Sequence, residues 1–168
     1  MPGSRNFADV EALARSNPAE KGRIQTQLQQ TIVDYDFVLF DCPPSLGHLT
    51  QIALLASTEV LIPIQCEFFA LEGLTQMIEV IKKTMDRKPE KLEFGGIILT
   101  MFDAALELSY EVEQDVRHFF GEITFNTVIP RDVLVSEAPS HGLPIINYAP
   151  RSRGARAYVE LCMEVLDR

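Results

Sequence analysis

Short apolar runs alternate along this chain with segments whose apolar residues recur at helical spacing. Residues 37–40 (Phe-Val-Leu-Phe) form a continuous apolar run, which predicts a strand buried on both faces. "EVLIPI" (59–64) predicts a second buried strand ending near Pro63, "FGGIILTM" (94–101) a third, and residues 125–129 a fourth, stopped by Pro130. Between them lie segments of helical period. Ile24, Leu28 and Ile32 mark a helix over 20–33, and "GHLTQIALLAST" a short one. "ALEGLTQMIEVIKKTMDRK" places Leu71, Leu74, Ile78 and Ile81 on one face, with Gly73 suggesting close packing or a functional approach. Residues 106–120 predict another helix, and 154–166 a last one carrying Tyr158, Leu161, Cys162 and Val165 on one face. Residues up to about Ala19 show no period, and "SEAPSHGLP" reads as loop.

Strands alternating with helices predict an α/β fold, a mostly parallel sheet flanked by helices, as a single domain over residues 1–168. Ligands of such sheets bind beyond the carboxyl ends of the strands. Four junctions qualify: residues 41–45, 63–67, 100–103 and 130–132.

Composition narrows the class. Of the 168 residues, 46% are apolar and 23% charged, which fits one globular domain with a core. No stretch approaches the roughly 20 apolar residues of a membrane span, so no membrane role is expected. The polar, acid-containing N-terminus is expected to be neither a signal peptide nor a typical transit peptide. Cys42, Cys66 and Cys162 form no CxxC, which suits a reducing, cytoplasmic setting. His48, His118 and His141 show no metal-ligand spacing. A net charge of −9 argues against a constitutively basic nucleic-acid binder. Two local basic clusters exist, Lys82, Lys83, Arg87, Lys88 and Lys91, and Arg151, Arg153 and Arg156; either could equally be a solvated helix face.

Asp41 ends the first apolar run. A carboxylate there could hold a Mg²⁺ ion through water, or cap the following turn. Pro43 and Pro44 stiffen that turn and Gly47 supplies a hinge, a combination suited to sensing a γ-phosphate. Pro130 and Arg131 could flank a purine, or the "IPRD" stretch could be a strand stop followed by an N-cap Asp132. Ser140-His141 with Asp103 or Asp132 would make a hydrolytic triad, but no G-x-S-x-G elbow accompanies them. None of the 9 glycines is followed by Lys-Ser or Lys-Thr, so these residues hold no G-x-x-x-x-G-K-[ST] phosphate loop.

Five blocks in order, "YDFVLFDCPPSLG", "PIQCEFFALEGL", "ILTMFD", "IPRDVLVSEAPSHGLPI" and "PRSRGARAY", resemble the ParA/Soj family of chromosome- and plasmid-partitioning ATPases, deviant Walker-type P-loop proteins related to MinD and the nitrogenase iron protein. The resemblance covers residue 34 to the C-terminus and leaves 1–33 poorly matched. It implies that Asp41 is the Walker B-type carboxylate on the Mg²⁺ water shell, and that Pro43, Pro44, Ser45, Leu46 and Gly47 form switch II. It further implies that Met101, Pro130, Arg131 and Asp132 lie on the adenine side, that residues 67–73 lie near a nucleotide-dependent dimer interface, and that Arg151 and Arg153 belong to a DNA-binding surface. Leu134, where many relatives carry arginine, and the stretch around Gly121 and Glu122, poor in basic residues, depart from the family pattern and weaken the DNA expectation.

The implied function is that of a partitioning ATPase using ATP/ADP and Mg²⁺, dimerising, binding DNA weakly and non-specifically, and responding to a ParB-type partner in the cytoplasm or on the nucleoid. The family's phosphate loop lies before the matched region, so the chain matches the C-terminal two-thirds of such a protein, an N-terminally truncated form. By resemblance, the strand leading to that loop lies between the Asp41 strand and the 60–64 strand; without it those strands either close up or leave ladder groups unpaired. The 168 residues alone are not expected to hydrolyse ATP. A different class of function is a non-catalytic regulatory form that binds a full-length ParA-type protein or a ParB-type partner.

Overall fold

The structure, a computed structural model, describes residues 35–43, 47–85 and 92–168. The expected helix over 20–33 and the switch residues Pro44, Ser45 and Leu46 lie outside the described residues. Two compact units divide the chain, Met1–Val60 with Met77–Glu93, and Leu61–Gln76 with Phe94–Arg168.

Helix α1 (His48–Ala56) follows Gly47, whose carbonyl accepts the Gln51 N–H at 3.1 Å. Ile52 and Leu54 are buried on it. Strand β1 (Glu59–Gln65) leads into helix α2 (Ala70–Met85), where Leu74 and Ile81, two turns apart, are fully buried. Gly73 is exposed, and a side chain there would meet nothing, so the expected close packing at Gly73 is not found.

Strand β2 (Glu93–Phe102) is the middle strand of the sheet, between β1 and β3 (Thr124–Pro130). It pairs in parallel with β3. Hydrogen bonds from Glu93 N–H to Thr58 O and from Cys66 N–H to Thr100 O show β1 running the same way. The sequence-based expectation of a parallel α/β sheet therefore holds. The central position explains why residues 96–99 are buried without a break. Among the described residues β1 lies at an edge, and there the expectation fails twice. It continues through Pro63 to Gln65, and its burial alternates instead of being continuous. An edge strand tolerates a proline because one row of its backbone groups has no ladder to complete.

The run at residues 37–40 is the larger correction. It carries no strand, and Phe37, Val38, Leu39 and Phe40 are all exposed, Leu39 at 85%. An apolar run becomes a buried strand only when neighbouring strands take its N–H and C=O groups, and among the described residues none does so.

Helix α3 (Glu107–Phe120) buries Ser109, Val112 and Val116 at helical spacing. A 3₁₀ turn (Gly121–Ile123) leads into β3. The stretch after β3, expected to be loop from residue 136, is mostly helical: α4 (Val133–Glu137), a 3₁₀ turn (Ala138–His141), and α5 (Ile145–Tyr148). Helix α6 (Arg153–Leu166) packs on β3 through Ala157 and Leu161, which join Ile98, Phe125 and Ile129 in one buried cluster.

The β2–β3 register slips twice. Ile97 pairs with Thr124 and Leu99 with Val128, so β3 bulges between them. Charged side chains satisfy the bulge. Glu164 accepts from Asn126 N–H at 2.7 Å and Thr127 N–H at 2.9 Å. Arg117 donates to the carbonyls of Phe125 and Asn126 at 3.2 and 3.1 Å. Arg168 lies over the Phe125 ring at 3.8 Å and donates to Gly95 O and Thr124 O. Gly96, at φ +148°, must be glycine: a Cβ there would stand 2.6 Å from the Phe125 ring.

Candidate functional site

The second unit brings three of the four strand-end junctions together. Cys66 N–H donates to Thr100 O at 2.9 Å, and the Thr100 hydroxyl donates to Ile64 O at 3.0 Å. Arg131 N–H donates to Phe102 O at 2.8 Å, which ties the end of β3 to the end of β2. Across the same edge the Arg131 guanidinium meets Glu67 at 2.9 Å. Both partners are well exposed, so this pair orients Arg131 more than it stabilises the fold, and its worth is about 0–1 kcal/mol.

Met101 precedes this junction with φ +55°. A left-handed conformation at a long side chain costs about 1–3 kcal/mol and persists only where the surroundings impose it. Here it coincides with the second register slip, between Leu99 and Phe102. The slip turns the chain out of the ladder and into the Asp103 turn. In that turn Asp103 Oδ1 accepts from Ala105 N–H at 3.0 Å, while the buried Ser109 hydroxyl accepts from Asp103 N–H at 3.2 Å.

The result is a cleft of about 460 Å³ lined by Phe102, Asp103, Ala104, Ala105, Pro130, Arg131 and Arg153. That volume suits a small molecule, and an apolar floor with a few polar groups suits a planar ring. Of the residues expected on the adenine side, Pro130 and Arg131 line the cleft. Met101 stands just before the lining residue Phe102 but is not itself in the cleft wall. Asp132 does not line it but caps a helix: its Oδ1 accepts from Leu134 N–H at 3.0 Å and its Oδ2 from Gly154 N–H at 2.9 Å. Arg153, expected on a DNA surface, lines the cleft, whereas Arg151 is exposed away from it. Sequence reasoning missed Ala104, Ala105 and Arg153 as wall residues. The "FDAA" turn after a strand was the available signal for the first two; none pointed to Arg153.

A Ser-His-Asp triad is not assembled. Ser140 Oγ donates to Glu137 O at 2.7 Å, His141 stacks on Tyr148 at 4.8 Å, and Asp103 and Asp132 are engaged as above. Cys66 beside this edge is buried. Burial pushes its thiol up to about 11; the Glu113 charge adds to the rise and Arg117 opposes it.

Asp41, in the first unit, is an exposed carboxylate. It helps raise the thiol of the neighbouring, exposed Cys42, after the larger effect of that thiol's partial desolvation. Pro43 beside it is exposed and Gly47 half-buried. Among the described residues no group of three His, Cys, Asp or Glu side chains could hold a metal. A Mg²⁺ ion at Asp41 would therefore take most of its ligands from water and phosphate oxygens, as this hard cation commonly does. Also among the described residues, no helix is long and apolar enough to cross a membrane.

Comparison with known proteins gives this geometry a family. A profile described as an AAA domain matches residues 1–94. The chromosome-partitioning ATPase Soj of Treponema pallidum is 51% identical over 80% of this chain and 53% of its own length. The sporulation initiation inhibitor protein Soj of Bacillus subtilis is 42% identical over 98% of this chain and 65% of its own. The chain thus spans less than two-thirds of each relative. Among solved structures, the cobyrinic acid a,c-diamide synthase of Mycobacterium smegmatis, with bound ATP analogue and magnesium, superposes with a TM-score of 0.75 at 28% identity, over 95% of this chain and 58% of that one. The Pyrococcus furiosus cell division ATPase MinD superposes with a TM-score of 0.68, also at 28% identity, over 86% and 58%. The fold is that of the MinD- and ParA-like P-loop NTPases, and the chain belongs to the ParA/Soj family of chromosome-partitioning ATPases.

Proposed function

We propose that this chain supplies the base-binding and switch portions of a partitioning ATPase, and that the cleft beyond β2 and β3 receives the adenine ring of ATP or ADP. The observation that carries this is the junction of Pro130 and Arg131 with Phe102 and residues 103–105, closed by the 2.8 Å bond from Arg131 N–H to Phe102 O. Pro130 and the Phe102 turn offer apolar walls to a ring. Arg131 offers donors to its acceptor atoms. The family's name as an ATPase and the nucleotide and magnesium bound to a structural neighbour support the same ligand class.

In this proposal Asp41 holds the water shell of Mg²⁺, which neutralises phosphate charge when bound. Pro43, Pro44, Ser45, Leu46 and Gly47 form the switch beside it. The complete assembly dimerises with Mg-ATP, answers to a ParB-type partner and acts in the cytoplasm or on the nucleoid, with Arg151 a candidate DNA contact. The 168 residues hold no Walker A lysine, so by themselves they bind adenine nucleotides weakly and do not turn ATP over.

The test is titration of the purified chain with ADP and with GDP, followed by amide chemical shifts, beside a Mg-ATP hydrolysis assay. ADP-induced shifts at residues 102–105, 131 and 132, weakened by Arg131→Ala, are expected. Mg-ATP turnover lost on Asp41→Ala would overturn the assignment of this chain as inactive alone.

A further inference from the structure

We propose that Asp132 is a positioning residue whose carboxylate sets Arg153 into the cleft wall, and that Arg153 is a cation that contacts the base there. The proposal rests on the cleft being the base site. Its starting point is that Asp132 caps two helices at once. Oδ1 takes Leu134 N–H of α4 at 3.0 Å, and Oδ2 takes Gly154 N–H of α6 at 2.9 Å. A carboxylate has acceptor capacity for both; a hydroxyl of Ser size does not reach two helices.

The second bond lands on the residue directly after Arg153. On the other side, Ser152 caps the same helix, its hydroxyl accepting from Ala155 N–H at 3.0 Å. Arg153 is thus held between two anchored neighbours at the first turn of α6. Gly154 makes the approach possible. It is buried, and a Cβ would run into Val135 Cγ2 and lie 3.3 Å from Asp132 Oδ2. Because Asp132 immediately follows Arg131, one carboxylate fixes the distance between the β3 end of the cleft and the α6 end.

The two arginines in the cleft wall differ in what they have left to give. Arg131 spends one guanidinium nitrogen, Nη2, on Glu67 at 2.9 Å and keeps its other donors. Arg153 is exposed, lines the cleft, and makes no ion pair among the described residues. Its guanidinium carries donors only, and its plane can stack on a ring. Purine ring nitrogens are acceptors in the plane and the ring face is a π-surface, so both modes are open to it.

The experiment uses the whole chain and ADP as probe, read by amide shifts. Arg153→Ala is expected to weaken ADP about tenfold, in the range of a lost charge-assisted contact, with Arg153→Lys restoring only part because an ammonium does not stack. Asp132→Ser keeps a good N-cap for α4 but loses the second arm. It is expected to weaken ADP as much as Arg153→Ala does, although Arg153 is still present. The double variant should be no weaker than the worse single within about twofold, because the two act through one contact. Without any ligand, Asp132→Ser should speed Gly154 amide exchange about tenfold and leave Leu134 protected, by loss of one hydrogen bond.

Losses that multiply in the double variant overturn the coupling, and unchanged Gly154 exchange overturns the clamp. If Arg131→Ala weakens ADP and Arg153→Ala does not, the role of Arg153 falls while the base site stands. If wild-type cleft amides do not respond to ADP at millimolar concentration, the base site itself falls, and the contact assigned to Arg153 with it.

Discussion

Two apolar runs of nearly equal hydrophobicity meet opposite fates in this chain. Ile97, Ile98 and Leu99 in β2 are exposed by 0%, 8% and 0%. Phe37, Val38, Leu39 and Phe40 are exposed by 60%, 40%, 85% and 38%. What separates them is the backbone around them. β2 has a strand on each side and α6 packed on the sheet, so its peptide groups and side chains are satisfied together. Residues 37–40 have no described ladder. Burial of a strand is cooperative in this sense: apolar side chains provide the drive, but the N–H and C=O groups decide whether it can be realised. The chemistry follows the same division. The cleft, built on the ends of β2 and β3, has defined walls and a hydrogen-bonded seam, while Asp41 stands on a segment with no strand partner among the described residues.

The largest expected effect tests the buried side. Phe125 is 1% exposed, lies under Arg168, and is central to the cluster shared by β2, β3 and α6. Phe125→Ala should cost about 3–5 kcal/mol through lost transfer energy and the cavity left behind. Urea unfolding followed by far-UV circular dichroism measures it. A loss below about 1 kcal/mol, the level of an ordinary surface change, would mean that the cluster is not the core.

Next in size is the bulge. Burial alone would raise the Glu164 carboxyl, but the Asn126 and Thr127 N–H groups and the charge of Arg168 outweigh it and hold its pKa below the usual carboxylate value. A depressed pKa means that the folded chain binds the Glu164 proton less well than the unfolded chain. Its contribution is therefore complete above the unfolded value, near 4.5, and is lost as pH falls through the folded one. Glu164→Gln should lower stability at pH 7 by about 1–2 kcal/mol, because an amide accepts through one oxygen and gives up the charge assistance. The difference between variant and wild type should narrow as the pH is taken from 6 toward about 3. A constant difference across that window would assign the effect to packing alone.

Much of this architecture was legible in the sequence, and the misreadings share a cause. The helices carrying Leu74 and Ile81, or Val112 and Val116, were readable because a period of 3.6 is written in the chain itself. So was β2. Pro63 misled because a proline stops a central strand but not an edge one, and the edge position that β1 has among the described residues is a property of the sheet. The helical turns after Asp132 were hidden for a related reason. α4 has five residues, too few for a period, and is held by a carboxylate that also bonds Gly154, 22 residues later. The cleft divides along the same line. Pro130 and Arg131 were readable from a motif at one strand end. Arg153 was not, because what brings it there is that long-range bond.

The smallest predicted effect is the most direct test of the contrast. Leu39 is the most exposed apolar residue of its run, and Leu39→Ser should change the stability of the chain by no more than about 0.5 kcal/mol, as for surface substitutions generally. Leu99, an identical residue at 0% exposure, should lose about 2–5 kcal/mol on truncation to Ala. Measuring both in the same urea series isolates the backbone setting, because the residue type is held constant. A loss above about 2 kcal/mol at Leu39 would require a buried side chain. Residues 37–40 would then be packed in solution, Asp41 would sit at the end of a formed strand, and the division between the two regions would collapse. A change near zero leaves Asp41 on a segment that lacks the ladder a buried strand needs, and makes the supply of that ladder a condition for placing its carboxylate beside a phosphate.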